Sequence, residues 1–183
     1  YHRHTNGTWF SRQGCAEKLP IREDGLFGQA ELTSCGLNGG PLAGEGYYPS
    51  CIACHLFTDR PVIYVGDSDK PEYVNGSFPK IVKEGWDGDQ NEGYITNMYD
   101  QCTAGFRYFD LSHVSEITLT IRGYAYGSME IRTSFEGSAV KTIPLHYSNI
   151  WRDIKTEIKL PEGADSLYFT YRGPGSASFK GFT

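Results

Sequence analysis

Residues 116–124, EITLTIRGY, alternate. Ile117, Leu119 and Ile121 fall on one side, and Thr118, Thr120 and Arg122 on the other, the period-2 signature of a half-buried strand. After a short turn, MEIRTSF (129–135) sets Met129, Ile131 and Thr133 against Glu130, Arg132 and Ser134, so the two runs predict a hairpin. VKTIPLHY (140–147), RDIKTEIKL (152–160), SLYFTYRG (166–173) and SASFKGF (176–182) read as further strands, with PEGADS as a turn. TAGFRYFDL (103–111) and IVKEG (81–85) add two more. No stretch follows a 3.6-residue period. Strands repeating roughly every ten residues predict an all-β sandwich or barrel.

The first 78 residues are less regular. GQAELTSC (28–35) and CIACHLF (51–57) read as strands around a Gly-rich loop, GLNGGPLAGEGYYPS, and 59–77 as an exposed connection holding a short strand, VIYV. This divides the chain into an irregular extension over 1–78 and a sandwich over 79–183. The chain opens on Tyr1, not Met, and reads as part of a longer one.

Composition sharpens this. The 22 Gly, 13 Tyr and 10 Phe of 183 residues suit short strands and turns. The net charge of −5 is spread along the chain with no Lys/Arg cluster, which argues against a nucleic-acid partner. No apolar run near 18 residues occurs, so no membrane-spanning segment is expected. Five cysteines (15, 35, 51, 54 and 102) allow two disulfides at most, and mostly reduced, buried thiols are expected, with a Cys15–Cys35 bridge left open.

Candidate chemistry begins with CIACH (51–55), which matches the C-x-x-C-H signature of attached haem. Its setting is apolar and strand-like, no second C-x-x-C exists, and a zinc site would need two more ligands. Structural thiols are the expected reading, with no haem. His2 and His4 share a face if YHRHT is a strand, and are either a metal pair or two polar residues. Glu84, Asp87 and Asp89 around EGWDGDQNE are either calcium ligands, since D-x-D loops supply oxygen donors, or a solvated turn. No G-x-S-x-G, Walker, H-E-x-x-H or dinucleotide fingerprint is present. Trp151 is in phase with Lys155 and Glu157, on the solvent side of its strand. An exposed Trp beside Asn149 suits sugar: indole packs on the C–H face of a pyranose and amides bond its hydroxyls. A Trp capping the core is the competing reading. Trp86 has the same two readings, and Tyr124 and Tyr126 flank a turn.

SLYFTYRGPGSASFKGF resembles the last two strands of family 6 carbohydrate-binding modules, which run roughly LYF-x-[FY]-x-G and then N-[LI]-D-[WF]-x-x-F. IVKE (81–84) resembles their opening I-E-A-E strand, TAGFRYFDL their G-D-[WY] strand, and SNIWRDI their G-G-W segment. YHRHTNGTWFSRQGCAEKL and QAELTSCGLNGGPL resemble the segment where the catalytic propeller of some family 43 glycoside hydrolases leads into such a module. The resemblance implies a jelly-roll β-sandwich that binds a plant polysaccharide, xylan or arabinoxylan, for an attached hydrolase. It implies a secreted, extracellular protein whose catalytic carboxylates lie upstream, so that this part is no enzyme. A module that only braces its propeller is the alternative. The family binds sugar between two aromatics. Trp151 matches one, the other falls near Thr103, and an Asn falls near Ser176. An Asp of the structural calcium site falls at Ser178, and Glu84 alone matches the other side of that site. Trp86 and Tyr94 are the further aromatic candidates.

Overall fold

The computed structural model describes residues 15–59, 79–83 and 93–183. Two antiparallel sheets face each other. The strands are β1 (Tyr48–Pro49), β2 (His55–Phe57), β3 (Lys80–Val82), β4 (Tyr94–Met98), β5 (Thr103–Arg107), β6 (Glu116–Gly123), β7 (Ser128–Arg132), β8 (Lys141–Pro144), β9 (Ser148–Glu157), β10 (Ser166–Arg172) and β11 (Ala177–Phe182). One sheet runs β3-β4-β11-β6-β9, with β1 paired to the far end of β11, and the other runs β2-β5-β10-β7-β8. The chain crosses between sheets after every strand except β3 and β7, which makes the fold a jelly-roll-type sandwich.

The alternation read from the sequence faces inward as expected. Ile117, Leu119 and Ile121 of β6 meet Met129 and Ile131 of β7, with Leu167, Phe169 and Tyr171 of β10, in one core. Phe106 packs against Phe169 and Phe182 with ring centroids 5.6 and 4.9 Å apart, and Phe169 against Phe179 at 5.0 Å. Burying such a ring is worth about 1.5–3 kcal/mol, so these four phenylalanines clamp the sheets.

Three local expectations change. β6 and β7 are not a hairpin: they lie in different sheets, and residues 124–127 carry the chain across the sandwich edge. Alternation in both runs reflects one shared core and does not require pairing. GQAELTSC forms no strand, because side chains satisfy its backbone: Glu17 accepts from the Thr33 N–H at 2.6 Å, and the Thr33 hydroxyl from the Cys35 N–H at 3.1 Å. CIACH begins in a 3-10 turn (Ser50–Ile52), and only His55 is in β2, so Cys51 and Cys54 do not sit on opposite faces of one strand. β1 and β2, inside the segment read as an extension, pair with β11 and β5. Ser50 ties this segment in: its hydroxyl donates to the Phe179 carbonyl and accepts from the Ile95 N–H at 2.9 Å. VIYV, His2 and His4 lie outside the described residues.

Candidate functional site

The outward face of the β1-containing sheet is built by the same alternation that builds the core. Tyr94 and Thr96 project from β4, Ser178 and Lys180 from β11, Thr120 and Arg122 from β6, and Trp151 and Asp153 from β9. Between β6 and β9 the register shifts: Ile121 faces Arg152, but Gly123 faces Ser148. β9 thus spends four residues where β6 spends two, and such a bulge re-aims side chains. Trp151 emerges from it.

Trp151 does not stand alone. The Arg122 guanidinium lies 4.2 Å from the Trp151 ring centroid and 5.2 Å from that of Tyr94. Its Nη2 donates to the Tyr94 hydroxyl at 3.0 Å. The Tyr94 and Trp151 rings meet edge to face, 5.1 Å apart at 80°, and the Lys180 ammonium is 5.8 Å from the indole. Around this cluster the Thr96 and Ser178 hydroxyls pair at 2.9 Å, and Thr120 donates to Asp153 at 2.6 Å. The result is an indole edge ringed by hydroxyl, guanidinium and ammonium donors.

The ring geometry limits what the pair can enclose. Holding a flat six-membered ring between two aromatic rings requires them roughly parallel and about 7–8 Å apart, twice a van der Waals contact of ~3.5–4.0 Å. Tyr94 and Trp151 touch each other edge to face, so no such slot lies between them.

The structure brings Trp151 and Tyr94 together and separates them from Ser176. Ala177 lies across from Met98 and Phe179 across from Ile95, so Ser176 sits past the opposite end of β4 from Tyr94. Its N–H bonds the Tyr124 carbonyl at 3.1 Å. Asn149 is exposed in the bulge, two positions before Trp151. Thr103, where the resemblance places the second aromatic, is buried on the other sheet and bonds Thr170 at 2.8 Å. Trp86, Glu84, Asp87 and Asp89 lie outside the described residues, and among the described residues no three His, Cys, Asp or Glu side chains gather as a metal site. Arg122 and Lys180 are the residues that sequence reasoning did not single out. The alternation of 116–124 already placed Arg122 outward, but nothing in the sequence pairs it with Trp151.

Two other clusters are structural. Burial pushes the Cys54 thiol up, partly offset by the Ser34 hydroxyl, and Cys54 donates to the Gly105 carbonyl at 3.5 Å, a protonated and unreactive setting. None of the five cysteines forms a disulfide among the described residues; Cys15 is exposed and the Cys35 thiol bonds the Gly40 carbonyl at 2.7 Å. On the outer face of the second sheet, Glu130 is held by Arg132 and by Arg172 Nε at 3.2 Å. Burial works to raise the Glu130 pKa, but the bonds from Arg132 and Arg172 together outweigh it, so the carboxyl is held below its ordinary value.

No protein-family model matches the chain. Its two-sheet architecture is the fold of family 6 carbohydrate-binding modules: it superposes on such a module from Clostridium stercorarium, solved with cellobiose, with a TM-score of 0.59 at 11% identity, over 79% of this chain and 96% of that one. It also superposes on a family 43 arabinoxylan arabinofuranohydrolase from Bacillus subtilis, solved with cellotetraose, with a TM-score of 0.57 at 15% identity, over 91% of this chain and 32% of that one. In sequence it is 50% identical, over all 183 residues, to a xylosidase/arabinosidase of Thermoclostridium stercorarium. The chain spans 38% of that relative's length. It is thus a family 6-like sandwich related to part of a glycoside hydrolase.

Proposed function

We propose that this sandwich is a non-catalytic carbohydrate-binding module that holds a glycoside hydrolase on a plant cell-wall polysaccharide, with xylan or arabinoxylan as the ligand. The observation that carries this reading is the Trp151–Tyr94–Arg122 cluster on an outward sheet face. An indole supplies the stacking surface for sugar C–H groups, and Arg122, Lys180 and the Thr96–Ser178 pair supply donors and acceptors for hydroxyls. Such an open site binds in the millimolar to micromolar range, about −4 to −8 kcal/mol. Its use is to keep a tethered enzyme at high local concentration on its substrate. The test is affinity electrophoresis of the 183-residue chain through gels containing arabinoxylan, xylan, β-glucan or mannan. Retardation is expected with arabinoxylan or xylan, and Trp151→Ala is expected to abolish it while leaving the far-UV spectrum unchanged. Equal retardation of the variant would reject Trp151 as the binding residue. Repeating the gels with EDTA tests the proposed structural calcium: loss of retardation is the expected sign of a metal.

A second reading, a brace for the hydrolase with no glycan of its own, is favoured by one observation. The segment before β1 exposes Leu19, Ile21, Leu26, Phe27 and Leu37, with exposures of 48% to 78%, more apolar surface than a short arm ordinarily leaves in water. No retardation in any gel would select it.

A further inference from the structure

Strand β9 ends its sheet, in the order β3-β4-β11-β6-β9, and among the described residues no strand pairs with its outer edge. It is ten residues long, SNIWRDIKTE, with neither Pro nor Gly. The other strands at sheet ends are shorter: β2 and β3 have three residues each, and β8 has four, the last of them Pro144. A long open edge is a template for a further strand, and the pattern along β9 says which strand fits it.

The ladder to β6 fixes which backbone groups are open. From Glu116↔Glu157 to Ile121↔Arg152 the register is unbroken. The Ile158 N–H bonds the Ser115 carbonyl at 2.9 Å. Thr118, opposite Lys155, instead exchanges both its backbone bonds with Thr183, at 2.8 and 3.0 Å. In an antiparallel pair both groups of one residue point the same way, and successive residues alternate. Arg152, Ile154 and Thr156 therefore direct their backbone groups at β6. Those of Asp153, Lys155 and Glu157 point to the open edge.

Two copies of β9 related by a two-fold axis meet antiparallel. Their open groups match only when odd residues face odd residues, which leaves few registers. An axis at Arg152 sets guanidinium on guanidinium, and an axis at Asp153 sets carboxylate on carboxylate. An axis at Lys155 sets ammonium on ammonium and Asp153 against Glu157. An axis at Thr156 pairs only the last three residues of each strand. With the axis at Ile154, Asp153 of each copy faces Lys155 of the other, Arg152 faces Thr156, and Ile154 meets its own copy. Opposite charges directly across a pair stabilise it and like charges destabilise it. Asp153 is exposed, and the Lys155 side chain is 64% exposed beside Glu116 at 2.7 Å, so both charges can reach a second partner.

We propose that a second copy of this chain pairs along the open edge of β9, antiparallel about Ile154, to form a two-fold dimer with one continuous sheet across both sandwiches. So short an edge makes a small interface, and the dimer is of the weak, concentration-dependent kind. Each Trp151 then stands three residues from the axis on the same outer face, about 20 Å along the strands from its copy. On the sugar reading of that face one polysaccharide chain reaches both, but the pairing itself does not depend on that reading.

The test is sedimentation velocity of the 183-residue chain, without glycan, from about 10 µM to about 1 mM. It is run on the wild type and on Asp153→Lys and Lys155→Asp variants. The wild type is expected to pass from monomer to dimer as concentration rises. Each variant sets like charges at both contacts and is expected to stay monomeric. Its melting temperature is expected to stay within about 2 °C of wild type, because the charges it alters are exposed. An equimolar mixture of the two variants sets lysines against aspartates and is expected to dimerise although neither does alone. Amide exchange reads the register: the Asp153 and Lys155 N–H groups are expected to gain protection at high concentration, and that of Ile154, already directed at β6, to stay unchanged. A wild type that is monomeric throughout would overturn the dimer. Single variants that dimerise like the wild type, or a mixture that stays monomeric, would overturn pairing about Ile154.

Discussion

At the scale of single residues, Arg122 is the side chain on which the proposed sugar face depends. Its planar guanidinium lies 4.2 Å from the indole centroid on one face and bonds the Tyr94 hydroxyl at once, which a lysine ammonium does not reproduce. An exposed cation–π contact is worth about 0.5–1 kcal/mol. Arg122→Lys should therefore lower the melting temperature by about 1–4 °C and shift Trp151 emission as the indole environment changes, both read in one thermal fluorescence scan. An unchanged Tm and spectrum would mean that the contact does not persist in solution. Glu130 offers a test by pH. Its pKa is lowered in the folded state, so its contribution is present above the ordinary carboxylate range and is lost as pH falls through the folded value. Glu130→Gln should cost about 1–2 kcal/mol at pH 7, and the gap between variant and wild type should close as pH drops below about 4. A gap that stays constant with pH in urea melts would show that the loss is one of packing.

At the scale of elements, glycines at turns separate two kinds of constraint. Gly163 has φ +74° and open space, nothing lying within 4 Å of where a methyl group would stand, whereas Gly175 combines φ +86° with the Tyr124 carbonyl in the way. Gly163→Ala should cost about 1 kcal/mol from conformation alone. Gly175→Ala should cost well over ~2 kcal/mol, since backbone must move, and should disturb the 124–127 crossing. Urea midpoints of the two variants provide the comparison; equal losses would mean the crossings adjust freely. The same elements show how much of the fold is legible in the chain. β6 and β7 stand where alternation places them, because each has one face on the core, whereas β10 is buried on both faces from Ser166 to Tyr171 and is legible only as an apolar, aromatic run. β4 carries no such signal: Asn97 takes φ +58°, so Ile95 and Met98, three apart, both face inward and the period of two is broken. Partners are less legible than strands, since inward faces of opposite sheets and of paired strands carry the same pattern. The site follows this division. Phase alone places Trp151 outward, but its contact with Tyr94 depends on the order β4-β11-β6-β9, which no local pattern encodes.

For the whole molecule, the two proposed roles, holding a polysaccharide and bracing an attached hydrolase, make different predictions. The two roles depend on surfaces at different places. The Trp151 face belongs to the β4-β11-β6-β9 region, while the exposed apolar residues lie in the arm before β1. A tether raises only the local concentration of the enzyme on a polymer. Under the proposed tether, Trp151→Ala in a hydrolase that carries this chain should slow release of sugar from insoluble arabinoxylan, by up to about 100-fold at low enzyme concentration, and leave turnover of a small soluble aryl glycoside untouched. A brace acts through folding, so its loss affects both substrates equally and lowers thermal stability. The pair Trp151→Ala and Phe27→Asp separates them. Trp151→Ala should affect only the polymer, and Phe27→Asp, which charges the arm without touching the Trp151 face, should lower thermal stability and slow both substrates alike. If Trp151→Ala slows both substrates alike, the tether reading is wrong and the sandwich is a structural part of the enzyme.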